Sequence, residues 1–248
     1  MILPNCIIHE LKSKFFNEYG IDSLELQKEY KKDVDAFLNY PYKISYKFND
    51  RGFRDNEWPT ELQDLKKRIW CIGDSFTVGI GNPITHSWPY LLGNKLNQQT
   101  INVSMCGASN QWIAARVIEI LDEIRPDIIC IHWTFTHRRQ SESNTNNYLK
   151  NRIWYTKSSW KEDLEDTISQ ISKVELIKEK TFIVHSFVPS FHGNSNYALR
   201  QIKNKFPDCM FTNCLEIQDY ARDNLHYDIN TAKLLVNEIV QKLNAPFV

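Results

Sequence analysis

Four things are scarce or missing in this sequence. There is no excess of either charge: thirty Lys and Arg balance thirty Asp and Glu among 248 residues. A zero net charge gives no global pull toward nucleic acid or an anionic membrane. There is no C-x-x-C pair among the six cysteines, Cys6, Cys71, Cys106, Cys130, Cys209 and Cys214. That argues against a zinc ribbon or a thioredoxin-type redox site, and no metal or organic cofactor is expected. Cys71 and Cys130 sit in apolar runs and read as small core residues; the scatter of the others favours free thiols in a reducing compartment. No apolar run approaches the length of a membrane span. The N-terminus carries no basic segment, and its apolar stretch is broken by Pro4, Asn5 and His9, which is not a secretory leader. The expected location is cytoplasmic.

What is present is globular in character. The chain is 42% hydrophobic, 24% charged and 12% aromatic, enough apolar material for one domain with a substantial core. Up to about Tyr40 the apolar residues Leu11, Phe15 and Phe16, then Leu24, Leu26, Tyr30, Val34 and Phe37, recur near helical spacing. Ser23 is placed to cap the second segment, and Pro41 stops it. Tyr42–Phe48 alternates like a short strand. Residues 1–48 therefore read as a helical extension with a lead-in strand, which either packs on the remainder or mediates self-association.

From Arg68 onward strand and helix patterns alternate. Strands are expected at Arg68–Gly73, Thr100–Ser104, Asp127–Trp133, Lys180–Phe187 and Cys209–Thr212. Helices are expected at Thr85–Asn97, Ser109–Ile124, Trp160–Glu179 and Ile229–Leu243. Near-continuous apolar strands separated by helices predict a three-layer α/β/α domain, residues 49–248, around a roughly five-stranded parallel sheet. Right-handed crossovers gather the strand C-termini, and with them Ser75, Gly107 and the segment after Trp133, on one edge. Arg138–Ser159 is the least regular stretch, polar but carrying Tyr148, Trp154 and Tyr155, as binding loops and lids often are.

Two segments carry the chemistry. Gly73-Asp74-Ser75 follows the apolar run Ile69–Ile72 and would lift a serine hydroxyl to the sheet edge. Its plainer reading is a glycine turn with Asp74-Ser75 capping a helix. Asp223-Asn224-Leu225-His226 precedes the last helix. Serine needs a base, and an Asp three residues before a His can fold back onto the imidazole and fix its tautomer. The plainer reading there is a turn with a surface histidine. Together the two segments favour the chemical reading. His132 and His137 flank the third strand end without further metal ligands at suitable spacing, and His185 in Phe182–Phe187 reads as a satisfied core histidine. Lys150, Arg152, Lys157 and Lys161 near Trp154, Tyr155 and Trp160 imitate a stacking platform for nucleic acid. The neighbouring Glu162, Asp163, Glu165 and Asp166 argue instead for a solvated helix face.

These blocks in order resemble the SGNH/GDSL hydrolase superfamily from Asn49 to the C-terminus. Gly73-Asp74-Ser75-Phe76-Thr77-Val78-Gly79 looks like the first block. Asn102-Val103-Ser104-Met105-Cys106-Gly107-Ala108-Ser109-Asn110 looks like the second, and Asp223-Asn224-Leu225-His226 like the last. Asn49-x-x-Gly52-Phe53-Arg54 resembles a lead-in seen in many members. The resemblance implies a flavodoxin-like sheet and a nucleophile, base and orienter in Ser75, His226 and Asp223. It implies an oxyanion hole from the Ser75 and Gly107 N–H groups, and substrate contacts near Asp74, Asn110, Trp133 and Arg138. The third block departs. Where the family carries Gly-x-Asn-Asp, this chain reads Ile131-His132-Trp133-Thr134-Phe135-Thr136-His137-Arg138. Thr134 or Thr136 is then the expected oxyanion donor, with Arg138 as a cation in reach. The implied activity is hydrolysis of short acyl or acetyl esters, with carbohydrate esters suggested by the aromatic-rich loop after Trp133. Acyl transfer to a sugar hydroxyl and a non-catalytic binding module on the same fold are the alternatives. The expected partner is a small ester substrate, without nucleic acid or a membrane span.

Overall fold

The five apolar runs form one parallel sheet: β1 (Ile69–Gly73), β2 (Thr100–Ser104), β3 (Ile128–Trp133), β4 (Phe182–Phe187) and β5 (Met210–Phe211). This is seen in a computed structural model that describes residues 3, 5–30, 34–140, 152–153 and 159–244. Every residue of β1 is buried, as expected of a central strand covered on both faces. The strand order is β2-β1-β3-β4-β5, with every neighbouring pair parallel. Gly73 at the end of β1 lies opposite Ser104 on one side and His132 on the other. The order reverses between β1 and β3, so the chain leaves those strands in opposite directions and opens a crevice beyond their carboxyl ends.

Among the described residues, six α-helices follow β1 in the chain: α1 (Ser75–Val78), α2 (Trp88–Leu96), α3 (Asn110–Glu123), α4 (Trp160–Ile177), α5 (Ser195–Lys205) and α6 (Ile229–Asn244). α3 packs on α4, and α2 on α6, giving the two helical layers of the sandwich. Local chemistry sets the boundaries. The α4 start is a full capping box, with Ser159 and Glu162 bonding reciprocally. α2 opens with Pro89 in its first turn, where the missing N–H costs nothing. The expected helix Thr85–Asn97 is therefore split, a 3-10 turn at Ile84–His86 preceding α2. No helix among the described residues is long and apolar enough to cross a membrane. The six cysteines form no disulfide.

Two features depart from the sequence reading. α5 lies in a stretch to which the sequence reading assigns no element: only Ala198, Leu199 and Ile202 are buried, too few to raise a helical pattern above its polar neighbours. The first forty residues are less helical than their spacing suggests: among the described ones, α-helices run only over Leu24–Glu29 and Val34–Leu38. Phe15–Phe16 instead pairs antiparallel with Tyr46–Lys47. Phe16, Tyr19, Tyr46 and Phe48 cluster there with ring centroids 5.1–6.0 Å apart, so aromatic packing overrides the local period. Ser23 caps its helix as read, accepting from Leu26 N–H at 3.2 Å. Leu3, Cys6, Ile8 and Leu11 join the same core as the sheet.

The Asn49–Arg54 lead-in explains how that segment is fastened. Asn49 Oδ1 accepts from the Arg51 and Phe53 N–H groups at 3.0 Å each. Gly52 turns with φ +82°, and a Cβ there would lie 2.1 Å from the Ile8 carbonyl oxygen. Gly52→Ala combines a left-handed backbone with a backbone clash, and should cost about 1–3 kcal/mol or more. Urea unfolding should show a lower midpoint with an unchanged slope; a midpoint equal to wild type would refute this account of the docking.

Candidate active site

The serine hydroxyl reaches the sheet edge because β1 ends at Gly73 and α1 begins two residues later. A Cβ at Gly73 would meet Thr77 Oγ1 at 2.1 Å and the His132 carbonyl oxygen at 3.0 Å, so only glycine allows so abrupt a turn. Asp74 caps α1, its Oδ1 accepting from Phe76 N–H at 3.0 Å. The capping reading of Gly-Asp-Ser therefore holds at Asp74, and it leaves the Ser75 hydroxyl free of the capping role. α1 ends at Gly79, whose φ of +73° closes the helix. Arg54 then collects the carbonyls beyond it: its guanidinium donates to Gly79 O at 2.6 Å, Asn82 O at 2.8 Å and Val78 O at 3.2 Å.

His226 Nε2 lies 2.8 Å from Ser75 Oγ, and His226 Nδ1 lies 2.5 Å from Asp223 Oδ2. The other carboxylate oxygen of Asp223 accepts from the Leu225 and His226 N–H groups at 3.0 Å each. Asn224, at φ +52°, makes the turn that folds the carboxylate back. All three side chains are buried. Burial alone would push the Asp223 carboxyl up, but the charge and hydrogen bonds of His226 outweigh it and hold the group below the usual carboxylate range. The arrangement orients one imidazole with a proton on Nδ1 and its other nitrogen toward the serine. Phe76 packs edge-on against the His226 ring at 4.5 Å.

The third-block residues do something other than expected. Asp74 Oδ2 accepts from Thr134 Oγ1 and from Arg138 Nη1, both at 2.6 Å, and Arg138 Nη1 also lies 2.8 Å from Thr134 Oγ1. The one hydroxyl proton of Thr134 is spent on Asp74, which removes it as an oxyanion donor. Asp74, Asn110 and Trp133 are fully buried, so as folded they do not meet a substrate. Asn110 instead holds the loop after β3: its Oδ1 accepts from Thr134 N–H at 2.9 Å and its Nδ2 donates to Thr167 Oγ1 at 3.1 Å. Trp133 donates its indole N–H to His185 Nδ1 at 3.0 Å. Arg138 is buried against Asp74. Gly107 sits in the turn after β2 with φ +75°. Among the described residues, neither its N–H nor that of Ser75 has a hydrogen-bond partner. Of the loop from Arg138 to Ser159, the residues Tyr148, Lys150, Trp154, Tyr155 and Lys157 lie outside the described residues, and only the backbone of Arg152 is described. Trp160 packs edge-on against His192 and Tyr197.

Sequence reasoning missed the buried polar contacts of His132. His132 Nδ1 lies 2.8 Å from Ser186 Oγ, which itself donates to Ile131 O. His132 Nε2 lies 3.3 Å from the hydroxyl of Tyr227, the neighbour of His226. It also missed Gly81, whose Cβ would stand 3.0 Å from Asp223 Cγ. A glycine two residues beyond another carries no label of this kind in the sequence.

Among the described residues, Glu175, His185 and Cys209 are the group whose geometry approaches that of metal ligands, lying within 4.8 Å of one another. Their hydrogen bonding does not fit an ion. The Trp133 indole can only donate, so His185 Nδ1 accepts, and Nε2 carries the proton it gives to Glu175 Oε1 at 2.9 Å. The nitrogen an ion would need is occupied. Burial and the adjacent Glu175 push the Cys209 thiol up to about 12. The group reads as a satisfied core cluster, as His185 alone did in the sequence.

Similarity to solved structures bears on the fold. Over 72% of this chain and 64% of the other, the structure superposes on a family two carbohydrate esterase from Clostridium thermocellum, determined in complex with cellohexaose, with TM-score 0.50 and 14% identity. A family two carbohydrate esterase from Cellvibrio japonicus matches over 72% of this chain and 60% of its own, with TM-score 0.50 and 10% identity. At these identities the likeness is one of fold, a three-layer α/β/α sandwich around a five-stranded parallel sheet. The chain spans less than two thirds of the length of these two esterases. No family model and no curated protein matches the sequence.

The buried imidazole of His132 gives this fold a pH dependence of its own. Burial holds its folded pKa down to about 4, against 6.5 for the free group. Between these values the unfolded chain binds one more proton, so the stability contributed is complete above about pH 6.5 and is lost as the pH falls toward 4. The full span corresponds to about 3 kcal/mol. Unfolding in urea from about pH 7 down to about pH 4 should show this slope, and His132→Gln should flatten it. Equal slopes in the two proteins would refute the assignment.

Proposed function

We propose that the chain is a serine ester hydrolase in which Ser75 is the nucleophile, His226 the general base and acid, and Asp223 the orienting carboxylate. One observation carries this reading: an unbroken hydrogen-bonded chain from Ser75 Oγ through the imidazole to Asp223, with steps of 2.8 and 2.5 Å, at the switch point of a doubly wound sheet.

The chemistry follows from the roles. His226 Nε2 takes the Ser75 proton as Oγ attacks the ester carbonyl. Asp223 stabilises the imidazolium that forms. The oxyanion is held by the N–H groups of Ser75 and Gly107. The imidazolium then gives its proton to the departing alcohol. Water, deprotonated in turn by His226, attacks the acyl-enzyme and releases the acid and free Ser75. No residue in this cycle needs a metal or cofactor.

The substrate class proposed is a short acyl or acetyl ester of a carbohydrate. Its support is the fold shared with two carbohydrate esterases and the aromatic-rich segment after Trp133 in the sequence. If an added sugar alcohol competes with water for the acyl-enzyme, the activity is acyl transfer. A non-catalytic binding module is the second reading. The observation that favours it is the loss of the third-block donor, since Thr134 and Arg138 both bond to Asp74.

Covalent labelling separates the two readings. A fluorophosphonate should add one adduct mass to wild type and none to Ser75→Ala or His226→Ala. Asp223→Asn should label about 10^4-fold more slowly, because the imidazole then takes the wrong tautomer. Acetylated sugars should be deacetylated by wild type alone. Folded wild type that neither labels nor turns over any short ester would sink the hydrolase reading and leave the binding module.

A further inference from the structure

The turn that carries Asp223 is closed mostly on itself. Ala221 N–H donates to His226 O at 2.8 Å and Asn224 N–H to Ala221 O at 2.9 Å. Asp223 bonds to His226 and Leu225 within the same turn. Such a unit needs an outside anchor if its carboxylate and the Ser75 hydroxyl are to keep one spacing.

The anchor is a single buried carboxylate some two hundred residues away in sequence. Asp22 is fully buried. Its Oδ1 accepts from Arg222 Nε at 2.8 Å and its Oδ2 from Arg222 Nη2 at 2.6 Å, a two-pronged fork one residue before Asp223. The same Oδ2 accepts from Tyr46 OH at 2.6 Å. Tyr46 OH in turn accepts from Gly81 N–H at 2.8 Å, and Gly81 O accepts from Arg222 N–H at 3.0 Å. The hydrogen bonds therefore form a closed ring, Asp22–Arg222–Gly81–Tyr46–Asp22. Asp223 lies against this ring, because the face of Gly81 has no room for a Cβ beside it. Phe37 packs its ring 4.6 Å from the Arg222 guanidinium carbon, and Arg54 sits 4.2 Å over the Tyr46 ring. Asp22, Phe37 and Tyr46 all come from the first 48 residues, outside the strand-and-helix domain.

We propose that Asp22 and Arg222 are positioning residues, and that the N-terminal segment serves the site by fixing Asp223 against His226. This rests on the hydrolase reading for its kinetic consequence, but its geometric consequence can be measured without a substrate. A bidentate Arg–carboxylate pair fixes direction as well as distance. Asp22→Asn removes the acceptor charge, and Arg222→Lys keeps the cation while losing the fork. Either change should let the turn drift. A misplacement of about 1 Å costs up to about 10^2-fold in rate.

The test follows the far-downfield proton resonance of the His226 Nδ1–H···Asp223 bond, identified by its absence in His226→Ala, together with the rate of fluorophosphonate labelling. Glu119→Gln is the control. Glu119 Oε1 accepts from Asn5 N–H at 2.8 Å, and Oε2 accepts from the Cys6 thiol and lies 3.6 Å from Arg116 Nη1. The amide keeps one acceptor but loses the charge and the second, so this change weakens the hold on the N-terminal segment without touching the ring. Asp22→Asn and Arg222→Lys should lose or broaden the resonance and label at least about tenfold more slowly. In turnover, kcat should fall with KM held. Glu119→Gln should keep the resonance and the rate. If Asp22→Asn does not fold, Arg222→Lys decides alone. Folded Asp22→Asn or Arg222→Lys with an unchanged resonance and rate overturns the proposal, as does a wild type without the resonance. A wild type that shows the resonance but never labels would overturn the hydrolase reading, and loss of that resonance in the two variants would still uphold the positioning role.

Discussion

The interior of this site is organised by one buried carboxylate. Asp74 stands where β1 ends, out of contact with water. One of its oxygens caps α1, and so sets the direction in which Ser75 leaves the sheet. The other holds Thr134 and Arg138, which belong to the loop after β3. A lone ionised carboxylate at that depth would cost several kcal/mol of lost hydration. The guanidinium, the hydroxyl and the helix N–H together satisfy it. Removing any one would leave a buried charge partly unmet. The two loops that flank the switch point are thereby fixed to each other.

A second buried cation does the corresponding work at the far end of α1. Arg54 is nearly inaccessible, and it spends its N–H groups on main-chain carbonyls of Ser45, Val78, Gly79 and Asn82. Burial lowers its pKa to about 10, with Tyr46 and Asp22 opposing the shift, so it stays charged at neutral pH. The short helix bearing Ser75 is consequently held at its start by Asp74 and at its end by Arg54. A four-residue helix has little stability of its own. Its rigidity is borrowed from these two ion-bearing contacts, one from the sheet domain and one from the lead-in.

The parts of this picture legible in the sequence are those with a local signature. Apolar runs announced the five strands, and their alternation with helices announced a parallel sheet. The strand-to-helix turn at Gly73-Asp74-Ser75 and the folded-back carboxylate of Asp223–His226 could be read because both are short-range constructions. α5 was hidden because three buried residues do not make a period. The strand Phe15–Phe16 was hidden because its cause is an aromatic cluster assembled from Tyr19, Tyr46 and Phe48. Asp22–Arg222 left no trace because an ion pair spanning two hundred residues has no spacing rule. Arg138 was read as a cation directed at substrate; only the fold reveals that Asp74 lies closer.

The altered third block then has a physical reading. An asparagine there would offer a neutral amide to the oxyanion and leave Asp74 to find another partner. This chain makes the opposite choice. Thr134 and Arg138 complete the shell of Asp74, and the proposed mechanism leaves the oxyanion to the backbone donors of Ser75 and Gly107. Losing one donor in a serine hydrolase costs about 2.7–4 kcal/mol of transition-state stabilisation. Backbone donors cost no side-chain entropy, and their value depends on how firmly the turns that carry them are held. The Asp74 shell therefore does more than replace a missing residue. In the proposed mechanism it trades one oxyanion contact for a more rigid β1–α1 turn, the turn that carries the proposed nucleophile, Ser75, and one of the two proposed backbone donors.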